Sequence, residues 1–150
     1  MRSPPRSSST SRPAAAVDDE RRRAAGSQLR REVLGEEYVA AAMSRTSGLT
    51  ADFQDYLTRT AWGEIWSRPG LDRRTRSLVT ISVLTALGHD HELALHVRAA
   101  VRSNGVTPEE VAEVILHASV YAGVPIANRA MSVAQSELAE LGFAQAEPGS

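Results

Sequence analysis

The sequence predicts an all-α fold, a bundle of about six helices that forms one compact domain. Apolar residues recur at the three- and four-residue spacing of helices, and no segment shows the alternation typical of strands. Glycine and proline stand between these periodic segments, where helices usually stop or start. With 150 residues, of which 42% are hydrophobic, the chain can bury a core without a disulfide or a structural metal.

The domain is predicted to cover residues 20–143. Residues 1–19 are rich in Ser, Pro and Arg and have no apolar central region, so we expect a disordered tail rather than a secretory signal. Residues 144–150 are expected to form a loose C-terminal tail.

The first helices are predicted over residues 20–34, ended by Gly35, and over residues 50–66. The second has an apolar face at helical spacing and is stopped by Pro69 and Gly70. The predicted members of this face are Phe53, Tyr56, Leu57, Ala61 and Ile65.

The third helix is predicted to follow an Asp72 cap and to end at Gly88. Apolar side chains surround most of its axis, so we expect it to be the central buried helix. They are Leu78, Val79, Ile81, Val83, Leu84 and Leu87.

Three more helices are predicted over residues 91–103, 108–122 and 125–141. The middle one has a strong start signal, because Thr107 can cap, Pro108 suits the first turn and Glu110 can close a capping box. The next expected breaks are at residues 123–125 and at Gly142.

Composition excludes several kinds of chemistry. The chain has no cysteine, which excludes disulfides and thiol nucleophiles and suits a reducing compartment, so we expect a cytoplasmic protein. All 17 basic residues are arginine, which excludes lysine Schiff bases. A net charge of −1 gives no general attraction for nucleic acid, and no apolar run is long enough to span a membrane.

Three of the four histidines lie close together at residues 89, 91 and 96. Glu92 and His96 share a helical face, where a carboxylate can orient an imidazole and raise its pKa, as in a general acid or base. His89 is a candidate for substrate contact, and His91 is expected to be a turn residue. A zinc or iron site remains the alternative, although no established helical metal motif is present.

Arginine near the start of the third helix suggests an anion anchor. Arg76 directly precedes the apolar run at a helix N-terminus, where the backbone also favours anions. Arg98 is the second candidate, pointing elsewhere on its own helix. Arg73 is expected on a solvated turn.

Two aromatic pairs complete the candidates. Trp62 and Trp66 flank Glu64 and could raise the pKa of its carboxyl group by desolvation, although an exposed Glu64 on a packing helix is about as plausible. His117 and Tyr121 are four residues apart. We favour a buried pair whose polar groups are hydrogen-bonded within the core over a pair that lines a polar pocket.

Several strings resemble the carboxymuconolactone decarboxylase family, in order and over about residues 28–137. The longest are WGEIWSRPGL at residues 62–71 and RTRSLVTI at residues 74–81. The shorter ones are LHVRAA at 95–100, GVT at 105–107, ILHAS at 115–119 and YAGVP at 121–125.

The wider superfamily includes alkyl hydroperoxidase D-like proteins, whose pattern is a glutamate, two cysteines and a histidine. Laid over this chain without a gap, those positions hold Ser77, His89, Glu92 and His96. Only the histidine is retained, and the missing cysteines exclude thiol peroxidase activity.

The resemblance implies an alkyl hydroperoxidase D-like helical fold that assembles into homo-oligomeric rings, a hexamer first and a trimer second. It also implies cofactor-free decarboxylation of a lactone dicarboxylate, 4-carboxymuconolactone, to 3-oxoadipate enol-lactone. We expect His96, oriented by Glu92, to donate the proton, with Glu64 as a second acid or base.

Other side chains are expected to bind the substrate. Some would anchor its anionic groups, one would donate a hydrogen bond to the enolate, and aromatic rings would line the pocket. These side chains are Arg76, Arg98, His89, Trp66 and Tyr121. The alternatives are a related enzyme that acts on another lactone or a peroxide-like substrate, and a catalytically silent helical assembly module.

Overall fold

The computed structural model describes the backbone of residues 14–143 and the side chains of residues 18–143. Every regular element in that part of the chain is helical, which confirms the all-α prediction. In chain order the elements are α1 (Ala14–Leu34), α2 (Glu36–Ser44), α3 (Ala51–Leu57), a π-helix (Thr58–Trp66), α4 (Arg73–Leu87), α5 (Asp90–Ser103), α6 (Pro108–Ala122) and α7 (Val124–Glu140). None of these helices is both long and apolar enough to cross a membrane.

Helices α4 to α7 pack around the hydrophobic core. Their starts and stops follow the predicted local chemistry. The Asp72 carboxylate accepts a hydrogen bond from the Thr75 N–H at 2.7 Å, and Gly88 ends α4 with φ +69°. Thr107 and Glu110 form the predicted capping box. The fully buried core side chains include Ile81, Leu93, Val97, Val111 and Ile115.

The N-terminal half is built on a close contact between α1 and the π-helix. A Cβ added to Gly26 would lie 2.1 Å from the Thr58 carbonyl oxygen, and one added to Gly63 would lie 2.2 Å from that of Arg22. Side chains larger than hydrogen therefore do not fit at either crossing point. The two glycines let the backbones touch, which fixes the π-helix and its tryptophans against α1.

One boundary and one helix differ from the sequence predictions. Helix α1 begins at Ala14, so residues 14–19 of the predicted tail are helical, and the rest of that tail lies outside the described residues. The predicted C-terminal tail over residues 144–150 also lies outside them. Helix α2 was missed, because it is only nine residues long and glycine at its start provides no side-chain cap.

The predicted buried face of the second helix is wrong. Phe53, Tyr56 and Ile65 are more than half exposed, whereas Thr58 and Trp62 are buried. Phe53 and Tyr56 lie on α3, which buries none of its residues. Ile65 lies in the π-helix, whose hydrogen bonds reach five residues along the chain instead of four. Successive side chains there turn by a smaller angle, so a face extrapolated at α-helical spacing is displaced.

Helix α4 is not buried on all sides, contrary to prediction. Ser77, Ile81 and Thr85 face the core. On another face Val79 and Val83 are about half exposed and Leu87 is 62% exposed. Helices α5 and α6 cover one side of α4, and no described residue buries the apolar stripe on the other face.

Candidate active site

His96 lies on α5 and packs against the π-helix. Its ring stacks on Trp66 with the centroids 6.3 Å apart and the planes 23° apart. Behind Trp66 lies Trp62, which is buried, with the ring centroids of the two tryptophans 5.0 Å apart. The two tryptophans therefore support one face of the imidazole.

Burial sets the protonation state of His96. Desolvation lowers its pKa to about 4 and outweighs the opposing effect of the Glu92 carboxylate, which raises it. The sequence predicted that Glu92 would raise the pKa of His96. That prediction is wrong, because the pKa is lowered overall. At neutral pH the imidazole is uncharged, with one nitrogen able to donate a hydrogen bond and the other able to accept one.

Arg76 lies in the first turn of α4 and reaches back toward the end of the π-helix. Its Nη2 donates to the carbonyl oxygen of Arg68 at 2.9 Å, and Arg68 follows Trp66 by two residues. Its Nε is buried and has no partner among the described residues. A buried N–H donor on a cationic side chain is costly unless an acceptor joins it, so Arg76 is equipped to receive an anion.

The other members of the histidine cluster are exposed. His89 precedes the first turn of α5 without a side-chain cap, and His91 and Glu92 face solvent. Within the described residues, no three histidine, aspartate or glutamate side chains converge as metal ligands would. The alternative of a metal site in this cluster therefore has no ligand set to support it.

Glu64 is not enclosed by the tryptophans. Its side chain is 49% exposed, and its Oε2 lies 4.0 Å from Nη1 of Arg22. Of the two alternatives for Glu64, the structure therefore has the exposed carboxylate, while Trp66 packs against His96 of α5. The acid or base role of Glu64 stays a prediction.

Arg98 is already paired. Its Nε donates to Oε2 of Glu137 at 2.8 Å, and Nη2 contacts Glu140 as well. Both hydrogen bonds raise the pKa of its guanidinium. Arg98 also lines a cleft of about 630 Å³ beside the α1–α2 junction. His96 does not line this cleft.

His117 and Tyr121 form a ring pair, with centroids 5.4 Å apart. Both side chains are exposed, Tyr121 by 80%. The prediction of a satisfied core pair is therefore wrong. They lie beside the exposed Leu116 and Val120 of α6, and whether Tyr121 binds substrate stays a prediction.

Sequence reasoning missed two features of the site. One is the Arg68 carbonyl that holds Arg76, although the Arg-Pro-Gly turn pointed to an irregular backbone there. The other is the π-helix itself, a structure often found at functional sites. Gly63 in the middle of a helical segment was its only visible signal.

Trp66 and His96, with Arg76 held against the backbone two residues beyond Trp66, are the residues of what we call the Trp66–His96 site. It combines an aromatic wall, a cationic donor lacking one partner, and a neutral imidazole in a desolvated position. Such a site can bind an anion, donate a hydrogen bond to an oxygen on which charge develops, and exchange a proton.

Comparisons with known proteins agree with the earlier resemblance. A model of the carboxymuconolactone decarboxylase family matches residues 51–136. The chain is 51% identical over 119 residues to the 4-carboxymuconolactone decarboxylase of Acinetobacter baylyi, covering 79% of this chain and 88% of that protein. It is 42% identical over 116 residues to the nitrosuccinic acid decarboxylase npaB of Metarhizium robertsii, covering 77% and 80%.

A third relative is an uncharacterized 15.0 kDa protein of Paracoccus denitrificans, 38% identical over 81 residues, covering 53% of this chain and 60% of that protein. The stretch matched by the family contains Trp66, Arg76 and His96.

Proposed function

The chain belongs to the carboxymuconolactone decarboxylase family, and on that premise we propose that it converts 4-carboxymuconolactone to 3-oxoadipate enol-lactone and CO2 in protocatechuate catabolism. The observation that carries the proposal is 51% identity over 119 residues to a decarboxylase of that name. The Trp66–His96 site supplies the groups that such a reaction needs.

The chemistry of the substrate defines those needs. The departing carboxylate sits on a ring carbon conjugated to an unsaturated lactone. When the bond between this carbon and the carboxylate breaks, its electron pair moves through the ring to the lactone carbonyl and leaves a dienolate. The enzyme must therefore anchor the anionic groups, stabilise the oxygen that gains charge, and return one proton to carbon.

Arg76 is the proposed anchor. Its Nη2 is bound to the uncharged carbonyl of Arg68, so the positive charge of the guanidinium is not neutralised. The buried Nε provides a hydrogen-bond donor for a substrate carboxylate. Arg98 would have to leave Glu137 and Glu140 to do the same, so we rank it second.

His96 is the proposed proton donor. In the empty site it is neutral, and its N–H can donate to the developing enolate. A substrate with two carboxylates brings negative charge next to the ring, which raises the pKa of the imidazole and lets it acquire and then deliver a proton. Glu92 acts in the same direction, while His89 and Glu64 stay as secondary candidates for enolate contact and proton exchange.

The same site supports a second substrate. The relative named as a nitrosuccinic acid decarboxylase is 42% identical over 116 residues. A nitro group, like an unsaturated lactone, can hold the electron pair released when CO2 leaves the adjacent carbon. We therefore include decarboxylation of nitrosuccinic acid as the second candidate activity, to be measured in parallel.

We also propose that the reaction requires no metal or organic cofactor and takes place in the cytoplasm. The lactone carbonyl can itself accept the electron pair, so neither a metal nor pyridoxal phosphate is obligatory. A chain without cysteine suits a reducing compartment. Activity that is lost in the presence of a chelator would contradict the first part of this proposal.

Assembly into a homo-oligomer, first a hexamer and then a trimer, is a further part of the proposal. The apolar stripe of α4 formed by Val79, Val83 and Leu87 is about half exposed. An exposed stripe of this kind indicates a surface that another copy covers. Light scattering of the purified chain should give a mass several times 16.2 kDa, and Val83→Glu should lower it.

The decisive experiment follows the ultraviolet absorbance of 4-carboxymuconolactone with the purified chain and a chelator present. The proposal expects turnover with stoichiometric release of CO2. Consumption of nitrosuccinic acid alone would favour the second candidate. Absence of turnover on both would favour another lactone or peroxide-like substrate, or a silent assembly module, and would overturn the proposal.

A further inference from the structure

Arg30 is a buried arginine far from the chemistry described so far. It lies on α1 and is only 5% exposed. Its Nη1 donates to Oε1 of Gln54 at 3.1 Å, and its Nε is buried without a partner among the described residues. No carboxylate of residues 18–143 pairs with it, and the ionisable neighbours that act on it are Tyr38 and Arg31.

A buried cation without a counter-charge is an expensive arrangement. Burial lowers the pKa of Arg30, yet a guanidinium keeps its proton in proteins, so the positive charge remains. Buried charges in folded proteins are normally paired. The neutral amide of Gln54 satisfies one donor and leaves the charge itself uncompensated.

A cavity of about 270 Å³ adjoins Arg30 between α1, α2 and the start of α3. Its polar lining consists of hydrogen-bond donors and includes no carboxylate: two guanidinium groups, an amide and three hydroxyl groups. These belong to Arg30, Arg45, Gln54, Tyr38, Thr46 and Thr50.

A second observation is independent of the arginine. The Thr46 Oγ1 is also buried and has no hydrogen-bond partner among the described residues. It lines this cavity and a second one of about 260 Å³ that Arg30 also borders. Two unpaired polar groups bordering the same space indicate that something polar fills it.

We propose that this cavity binds a small oxyanion, a carboxylate or a phosphate, held by Arg30 and Thr46 with Arg45 at its edge. The volume admits an anion of a few heavy atoms. Two arginines and several hydroxyl groups without a carboxylate match the recognition of such anions.

This oxyanion site is separate from the Trp66–His96 site. Gln54, the partner of Arg30, precedes Trp66 by about three helical turns on the continuous α3 and π-helix segment. Neither cavity beside Arg30 is lined by Trp66, Arg76 or His96. The proposal therefore stands whether or not the proposed reaction is correct.

The test is calorimetric titration of the full-length protein with sodium phosphate and, separately, with succinate, at constant ionic strength. We expect saturable binding that persists, with one anion per chain, when the Trp66–His96 site is disabled by Arg76→Met. Binding of phosphate alone would identify a phosphate site, and binding of succinate would identify a carboxylate site. No saturable heat with either anion would overturn the proposal and would leave a carboxylate of another copy as the partner of Arg30.

Variants locate the bound anion. Arg30→Met should weaken binding about 10- to 100-fold, because a charge-assisted hydrogen bond is lost. Thr46→Val is nearly isosteric and should fold normally even if Arg30→Met does not. It should weaken binding about 2- to 10-fold.

Two matched controls separate this site from others. Arg31→Met removes the neighbouring arginine, whose guanidinium is held by Ser27 and Glu36, and should leave the dissociation constant within about twofold. Arg76→Met removes the proposed substrate anchor and should also leave it unchanged. Loss of binding in Arg76→Met but not in Thr46→Val would place the anion in the active site and refute a separate oxyanion site.

Discussion

Arg76 and Arg98 occupy two regions that look alike in sequence and differ in the structure. Both are half-buried arginines on core helices, and both were predicted as substrate anchors. Arg98 is held by Glu137 and Glu140 of α7, whereas Arg76 has a backbone carbonyl on one nitrogen and a buried, unpartnered Nε. The difference teaches that an arginine in a pocket is available for substrate only when its own chain leaves part of it unsatisfied.

The neighbours sharpen this comparison. Arg76 is bound to the carbonyl of Arg68, two residues beyond Trp66. Trp66 stacks on a desolvated, neutral His96. Beside Arg98 the structure places carboxylates, which would repel a dianionic substrate. The region around Arg76 is therefore suited to binding an anion, and the ion pairs of Arg98 hold α5 against α7.

The largest expected effect comes from removing the imidazole at the Trp66–His96 site. His96→Phe keeps an aromatic ring against Trp66 but loses both nitrogens, and kcat on 4-carboxymuconolactone should fall by about 10²–10⁴. The matched control is His91→Phe, the same change at an exposed position of α5, which should leave kcat unchanged. A fall of less than about threefold in His96→Phe would remove it as the proton donor.

The next effect is the pH dependence of stability. The folded pKa of His96, about 4, lies below the ordinary value of 6.5, so the folded state resists protonation. Its contribution is fully present above pH 6.5 and is lost as the pH falls toward 4, by about 3 kcal/mol in total. The free energy of unfolding, measured by urea titration at pH 7 and at pH 4, should fall between these pH values in both proteins. The fall should be smaller in His96→Phe than in the unmodified chain, by about 3 kcal/mol. Equal losses would mean that His96 is not desolvated.

A smaller effect distinguishes the structural arginine. Arg98→Met should lower the free energy of unfolding by about 1 kcal/mol, since partly exposed ion pairs are screened by solvent and one carboxylate loses its partner. The loss should shrink in high salt. Urea titration of Arg76→Met provides the comparison and should show a smaller change. The reverse order would exchange the roles assigned to the two arginines.

The sequence predicted the helix ends better than the helix faces. The caps at Asp72, Gly88 and Thr107 depend on residues within one turn, so local reasoning could find them. The pairing of Arg98 with Glu137 and Glu140 joins residues about 40 positions apart, which no local pattern reveals. The π-helix misled the periodicity argument because it changes the period itself.

The candidate site stays a prediction, and only part of its geometry could be anticipated. His96, Trp66 and Arg76 were singled out by residue type and spacing, but the stacking of Trp66 on His96 and the bond from Arg76 to a backbone carbonyl depend on tertiary packing. The low pKa of His96 could not be anticipated, because the Glu92 spacing suggested the opposite shift and the extent of burial depends on tertiary structure. Arg30 gave no signal at all, since a lone arginine on a charged helix is normally exposed.

The most direct test of the account is the steady-state comparison of Arg76→Met with Arg98→Met on 4-carboxymuconolactone. We expect Arg76→Met to lower kcat/KM about 10- to 100-fold, mainly through KM, because it removes a charge-assisted contact to the substrate. Arg98→Met should stay within about threefold of the unmodified enzyme. Equal losses in the two variants, or a larger loss in Arg98→Met, would contradict the assignment of the active site to Trp66, Arg76 and His96.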